Sequence, residues 1–196
     1  ENFPTKETYW GNVSFSGPRS CYDESIRLAE TLCSAFFNKY RLPVKIARPF
    51  NVYGPGLRLE DKRVIPDFLN NALNGNPILM YSGGQDTRSF CYISDAVRAF
   101  LKILLSDFNG EAFNVGNDSE EISMLKLAQT VKGIFGDKLA IKHQESQDKD
   151  YLKDNPKRRY PDLTKIRKLL NYQPKIDLKT GLERSIEWYK SAYNLN

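Results

Sequence analysis

Between residues 19 and 40 the apolar positions Ile26, Ala29, Leu32, Cys33 and Phe36 recur at helical spacing. This predicts one long helix, and Pro43 just beyond it fits its end. Its apolar residues fall on two sides, with Ile26, Ala29 and Cys33 on one and Leu28, Leu32, Ala35 and Phe36 on the other. One side can meet a sheet and leave the other for a partner. The short β-branched run at residues 44–47 reads as a buried strand, broken into a loop over residues 48–56 by prolines and glycines.

Further along, residues 66–73 read as a helix closed by Asn74-Gly75, and residues 77–82 as a strand closed by a Gly83-Gly84 turn. Residues 88–93 form another strand, and Ser94-Asp95 serves as an N-cap pair for a helix to about Leu105. Residues 111–115 give a strand, Ser123 caps a helix to about Phe135, and Ile141 lies in a strand. A polar loop over residues 148–160 precedes two closing helices at 163–170 and 178–193. Helices alternating with short apolar strands predict an α/β fold, with a parallel sheet for the part up to Gly116.

Composition narrows the chemistry. The 196 residues carry 40% hydrophobic positions and a formal charge of +5, enough apolar content for a core and a mild preference for anions. Lys and Arg are dispersed along the sequence, which argues against a nucleic-acid-binding protein. Cys21, Cys33 and Cys91 are odd in number and lack metal-ligand spacing, so they read as small buried hydrophobes in a reducing cytoplasm. His143, the single histidine, falls in an expected strand and reads as structural, so no metal site is expected. No apolar run reaches the roughly 18 residues of a membrane span, and no signal peptide opens the sequence.

The sequence Cys21-Tyr22-Asp23-Glu24-Ser25-Ile26 places Tyr22 at the head of the first helix. An ammonium four residues later would lie on the same face and favour a phenolate, turning a weak base into a useful one. Ile26 occupies that position and supplies no charge, while Arg27 is turned to another face.

Together with the Asn51-Val52-Tyr53-Gly54-Pro55 loop, Thr87-Arg88-Ser89-Phe90 and Arg159-Tyr160-Pro161-Asp162, this stretch resembles the extended short-chain dehydrogenase/reductases that modify nucleotide sugars. Within them it is most similar to UDP-glucuronate decarboxylases and their NAD-dependent epimerase/dehydratase relatives. The resemblance implies the C-terminal part of a Rossmann-like parallel sheet (residues 1–55 and 88–116) plus a smaller α/β substrate-binding domain (residues 56–87 and 117–196). It also implies NAD as cofactor, a UDP-sugar or related nucleotide-sugar as ligand, and a homodimer through the first helix and the helix after Ser94.

Carried onto this sequence, the resemblance makes Tyr22 the general base for the sugar 4-hydroxyl and sets it, with Pro49, beside the nicotinamide. Asn51 would donate to the diphosphate or sugar, Val64 and Ile65 would lie against the nucleobase, and Arg88 and Arg159 would grip the diphosphate. Arg158 reads as a solvated charge, and Asp95 and Asp162 as helix caps. Two features depart from the family: Ile26 replaces lysine, and no glycine-rich dinucleotide loop or upstream Ser/Thr is present. The departures keep two other readings open, a non-catalytic nucleotide-sugar-binding remnant and an interaction module built on the first helix.

Overall fold

Helix α1 (Ser20–Tyr40) spans the expected stretch and stops where Arg41 turns into the left-handed region at φ 54°, its N–H returning to Phe37 O. The computed structural model describes residues 3–136, 139–145, 153 and 155–195. None of the residues of α1 is buried. Both of its apolar sides therefore remain open: Ile26, Leu28, Leu32 and Phe36 are all about half exposed. Two contacts tie it down. Arg48 donates to both carboxylate oxygens of Glu30, at 2.7 and 2.5 Å, and the Phe37 ring lies so close to Gly110 that a Cβ there would collide with it.

Strand β1 (Ile46–Pro49) begins two residues later than the sequence suggests. The expected loop after it contains a second strand, β2 (Val52–Tyr53). Helix α2 (Val64–Leu73) leads to β3 (Ile78–Met80), β4 (Thr87–Arg88) and β5 (Cys91–Tyr92), so the strand expected at residues 88–93 is split in two. Helix α3 (Ile93–Leu104) then crosses to β6 (Ala112–Val115). β1 pairs with β6 and β2 with β5, both parallel, as crossovers through helices permit.

After β7 (Ile122–Ser123) comes α4 (Met124–Phe135), whose Ser123 cap accepts from Lys126 N at 3.2 Å. β8 (Ile141–His143) pairs in parallel with β3, and His143 is exposed. Residues 148–152 and 154 of the polar loop expected over residues 148–160 lie outside the described residues; its end carries β9 (Arg158–Arg159), which pairs in parallel with β4 while β7 joins the other edge of β4 antiparallel. Helices α5 (Thr164–Leu170) and α6 (Leu178–Tyr193) close the chain. The fold is α/β with parallel strand pairs. Among the described residues no helix is long and apolar enough to cross a membrane.

One apolar cluster gathers Cys91, Ala99, Ile103, Phe113, Val115 and Ile166 around β6, α3 and α5. The other gathers Phe68, Leu69, Ile78, Leu127, Val131 and Leu182 between α2, α4 and α6. Tyr53 ties β2 to the second cluster: its hydroxyl donates to Leu178 O at 3.2 Å and rests against Gly181, where any side chain would overlap it.

Several local expectations change. Asp95 is no helix cap. It is buried, and one carboxylate oxygen accepts from Lys175 N at 2.8 Å and Ile176 N at 2.9 Å, so it pins α3 to the segment before α6. Asp162 does act locally, accepting from Thr164 N at 2.8 Å. Arg158 is paired, donating to both oxygens of Glu121 at 2.6 and 2.7 Å. Of the free cysteines only Cys91 is buried; Cys21 is exposed because α1 has no cover on that side.

Candidate active site

The loop after β1, the start of α2, the end of β3 and strands β4 and β9 surround a cavity of about 470 Å3. Five residues singled out from the sequence line it: Asn51, Val64, Ile65, Arg88 and Arg159. They lie far apart along the chain, and parallel pairing of β4 with β9 sets Arg88 beside Arg159 in register.

Two of these residues are cations that form no ion pair among the described residues; Asp86 acts on Arg88 and Asp23 on Arg159 only through space. Arg88 is buried and donates to the carbonyls of Thr87 at 2.7 Å and Pro156 at 2.5 Å. Burial brings its pKa down to about 10, and repulsion from Arg159 and Arg19 adds to this. The Arg159 guanidinium makes no hydrogen bond or ion pair among the described residues; burial lowers its pKa too, with Arg19 contributing. Buried charge without a counterion is costly, so the arrangement favours an anion, and planar guanidinium forks suit phosphate oxygens.

Asn51 sits beside them in the left-handed region at φ 42°, a conformation asparagine tolerates. Its amide nitrogen donates to Ser89 O at 2.8 Å, which fixes the side chain and leaves its second N–H and the amide oxygen for a ligand. Another part of the wall is apolar, with Val64, Ile65 and Phe68 of α2 and Leu79 and Met80 of β3.

Tyr22 and Pro49 are not part of this wall. Pro49 is exposed at the end of β1, and Tyr22 keeps 62% of its surface. The phenol is still near enough to act electrostatically on Arg63 and Arg159. Arg19 does line the cavity, and with Arg159 it also lines a smaller one of about 130 Å3. Arg19, Lys62, Arg63, Asp67 and Tyr81 are wall residues that sequence reasoning missed. Arg63 directly precedes Val64 and Arg19 lies three residues before Tyr22, so closeness in sequence was an available signal.

Residues 2–116 match the NAD dependent epimerase/dehydratase family. The chain belongs to that family. Among family relatives, UDP-glucuronic acid decarboxylase 5 of Arabidopsis thaliana is 40% identical over 179 residues, which cover 91% of this chain and 50% of the relative. The chain spans about half the length of the curated relatives it matches. An epimerase from Methanothermobacter thermautotrophicus superposes with a TM-score of 0.84 at 27% identity, covering 98% of this chain and 55% of its own. A UDP-glucuronic acid 4-epimerase from Bacillus cereus, solved with UDP-glucuronic acid and NAD, gives 0.79 at 28% identity, covering 94% and 58%.

Proposed function

We propose that the chain is the nucleotide-sugar-holding portion of an NAD-dependent enzyme most like UDP-glucuronate decarboxylase, working through a 4-keto sugar. The observation that carries this reading is the pair Arg88 and Arg159, buried or partly buried and held in no ion pair among the described residues, in the wall shared with Asn51, Val64 and Ile65. In this reading the arginines and Asn51 hold the diphosphate, and Val64 and Ile65 lie against the base. NAD would supply the hydride chemistry. The chain's own residues do not make a seat for it: Tyr22 and Pro49 are exposed and line neither cavity, and the sequence lacks the glycine loop. A homodimer through the open faces of α1 and α3, a reducing cytoplasmic setting, and the two-domain division at residues 55, 87 and 116 belong to the same proposal.

A second reading, a nucleotide-sugar binder without catalysis, is favoured by Ile26 at the lysine position. Both readings require the anion site. Calorimetric titration with UDP and UDP-glucuronate tests it. Loss of one charge-assisted contact of roughly 1.5–3 kcal/mol weakens binding by about tenfold or more. If Arg88→Ala and Arg159→Ala both bind UDP like the parent, the site is elsewhere.

A further inference from the structure

The apolar part of the cavity is a slot between the start of α2, where Val64, Ile65 and Phe68 stand, and Met80 and Tyr81 at the end of β3. Such walls suit a flat ring. Two acids line the cavity: Asp86, which acts on Arg88, and Asp67, which belongs to this apolar part. Its backbone carbonyl accepts from Asn71 Nδ2 at 3.0 Å, but its carboxylate has no hydrogen bond or ion pair among the described residues. Burial alone pushes that carboxyl above its ordinary range, and none of the cavity's arginines or its lysine offsets it. The nearby Tyr81 phenol is raised first by burial and then by Asp67. The charges group unevenly: Arg159, Arg19 and Asp86 act on Arg88, and Arg19 acts on Arg159, whereas the Asp67 carboxyl responds to burial.

An acceptor set in a ring-shaped slot reads the hydrogen-bonding edge of a base. Uracil and thymine present an N3–H donor, whereas cytosine N3 and adenine N1 present lone pairs that a carboxylate repels. We propose that Asp67 is the base-reading residue of this site, its carboxylate accepting the N3–H of a uracil or thymine held between α2 and Met80–Tyr81. The proposal rests on the nucleotide-sugar reading above and adds to it the side chain that reads the base. Its bland competitor is an aspartate that merely favours the positive end of α2, a role indifferent to the base.

Calorimetry with UDP, 3-methyl-UDP, CDP and GDP on the parent, Asp67→Ala and Asp67→Asn distinguishes these. The parent is expected to prefer UDP over CDP and 3-methyl-UDP by about tenfold or more. Asp67→Ala loses that preference and binds the three alike. Asp67→Asn keeps UDP through its amide oxygen and gains CDP through its amide N–H, a relaxation that a helix-dipole role does not produce and that also shows the variant is folded. Equal binding of UDP, CDP and 3-methyl-UDP by a parent whose binding still depends on Arg88 overturns the base-reading role alone. A preference for GDP overturns the assignment to uracil or thymine. UDP binding that is absent, or indifferent to Arg88→Ala, overturns the nucleotide-sugar reading and this one with it.

Discussion

The guanidinium carbon of Arg19 lies 5.4 Å from the centre of the Tyr22 ring. A cation thus reaches this tyrosine from three residues before it, while the position four residues after it holds Ile26, 49% exposed. The two placements are not equivalent. A guanidinium over the ring meets the π face, whereas an ammonium one turn on would sit beside the phenol oxygen. Arg19 also acts on Arg88 and Arg159, so it belongs to the anion site more than to the tyrosine.

The chain alone is accordingly expected to show no NAD-linked turnover of UDP-glucuronate, followed by NADH absorbance and CO₂ release. Adding a family member's segment that carries the glycine loop should restore NAD binding, since that loop seats the pyrophosphate at a helix N-terminus. Turnover should then also require Ile26→Lys, and Tyr22→Phe in that background should abolish it. Robust turnover with Ile26 in place, unaffected by Tyr22→Phe, would mean that the base is another residue.

Asp95→Ala should cost about 3 kcal/mol, because it leaves the N–H groups of Lys175 and Ile176 without the charged acceptor they now share. For a chain of this length that lowers Tm by roughly 6–12 °C. Thermal unfolding followed by circular dichroism measures it, and a loss within 1 °C of zero would remove Asp95 from the structural role given to it.

Alkali should unfold the protein in a defined window. Burial raises the Cys91 thiol from 9.0 to about 12, and the Tyr189 phenol from 10.0 to about 12. Burial raises Tyr53 and Tyr172 as well. Each folded value lies above its unfolded one, so the stability these groups contribute is complete below about pH 9 and is lost as pH rises toward 12. Urea midpoints across that range should fall, less steeply in Cys91→Ala. Under native conditions at about pH 8, iodoacetamide should modify exposed Cys21 and spare Cys91 until the chain unfolds. Peptide mapping by mass spectrometry reads the order.

Self-association through α1 and α3 should give a dimer mass by light scattering at tens of micromolar or more. Leu32 and Phe36 of α1 and Leu101 and Leu104 of α3 are 47–66% exposed and supply the apolar surface. Leu32→Asp together with Leu101→Asp should yield monomers that still bind UDP, since neither residue lines the cavity. A monomeric parent at these concentrations would reject the pairing.

Where structure follows from neighbours in sequence, the sequence was readable. The Ser123 cap and the limits of α6 at residues 178 and 193 come from local periodicity and capping chemistry. The two-residue strands β2 and β9 were not visible, because each exists only through a distant partner, Cys91–Tyr92 for one and Thr87–Arg88 for the other. Asp95 was misread for a related reason: an aspartate in a first helical turn looks the same whether it caps that helix or binds amides 80 residues away. At the cavity, Arg88 and Arg159 carried a family signature. Asp67 and Lys62 acquire meaning only when folding turns them toward the same space.

The lack of any buried residue in α1 bears on energetics as well as on association. A helix held mainly by Glu30–Arg48 and Phe37–Gly110 opens at lower free energy than the core elements, so its amide hydrogens should exchange ahead of those in β6 and α3. Tyr22 and Arg19 sit at the N-terminal end of this segment and share its local unfolding equilibrium. A partner that covers the apolar faces of α1 binds its ordered state preferentially, and that binding free energy is linked to the position of the phenol and to the occupancy of the anion site by one thermodynamic cycle.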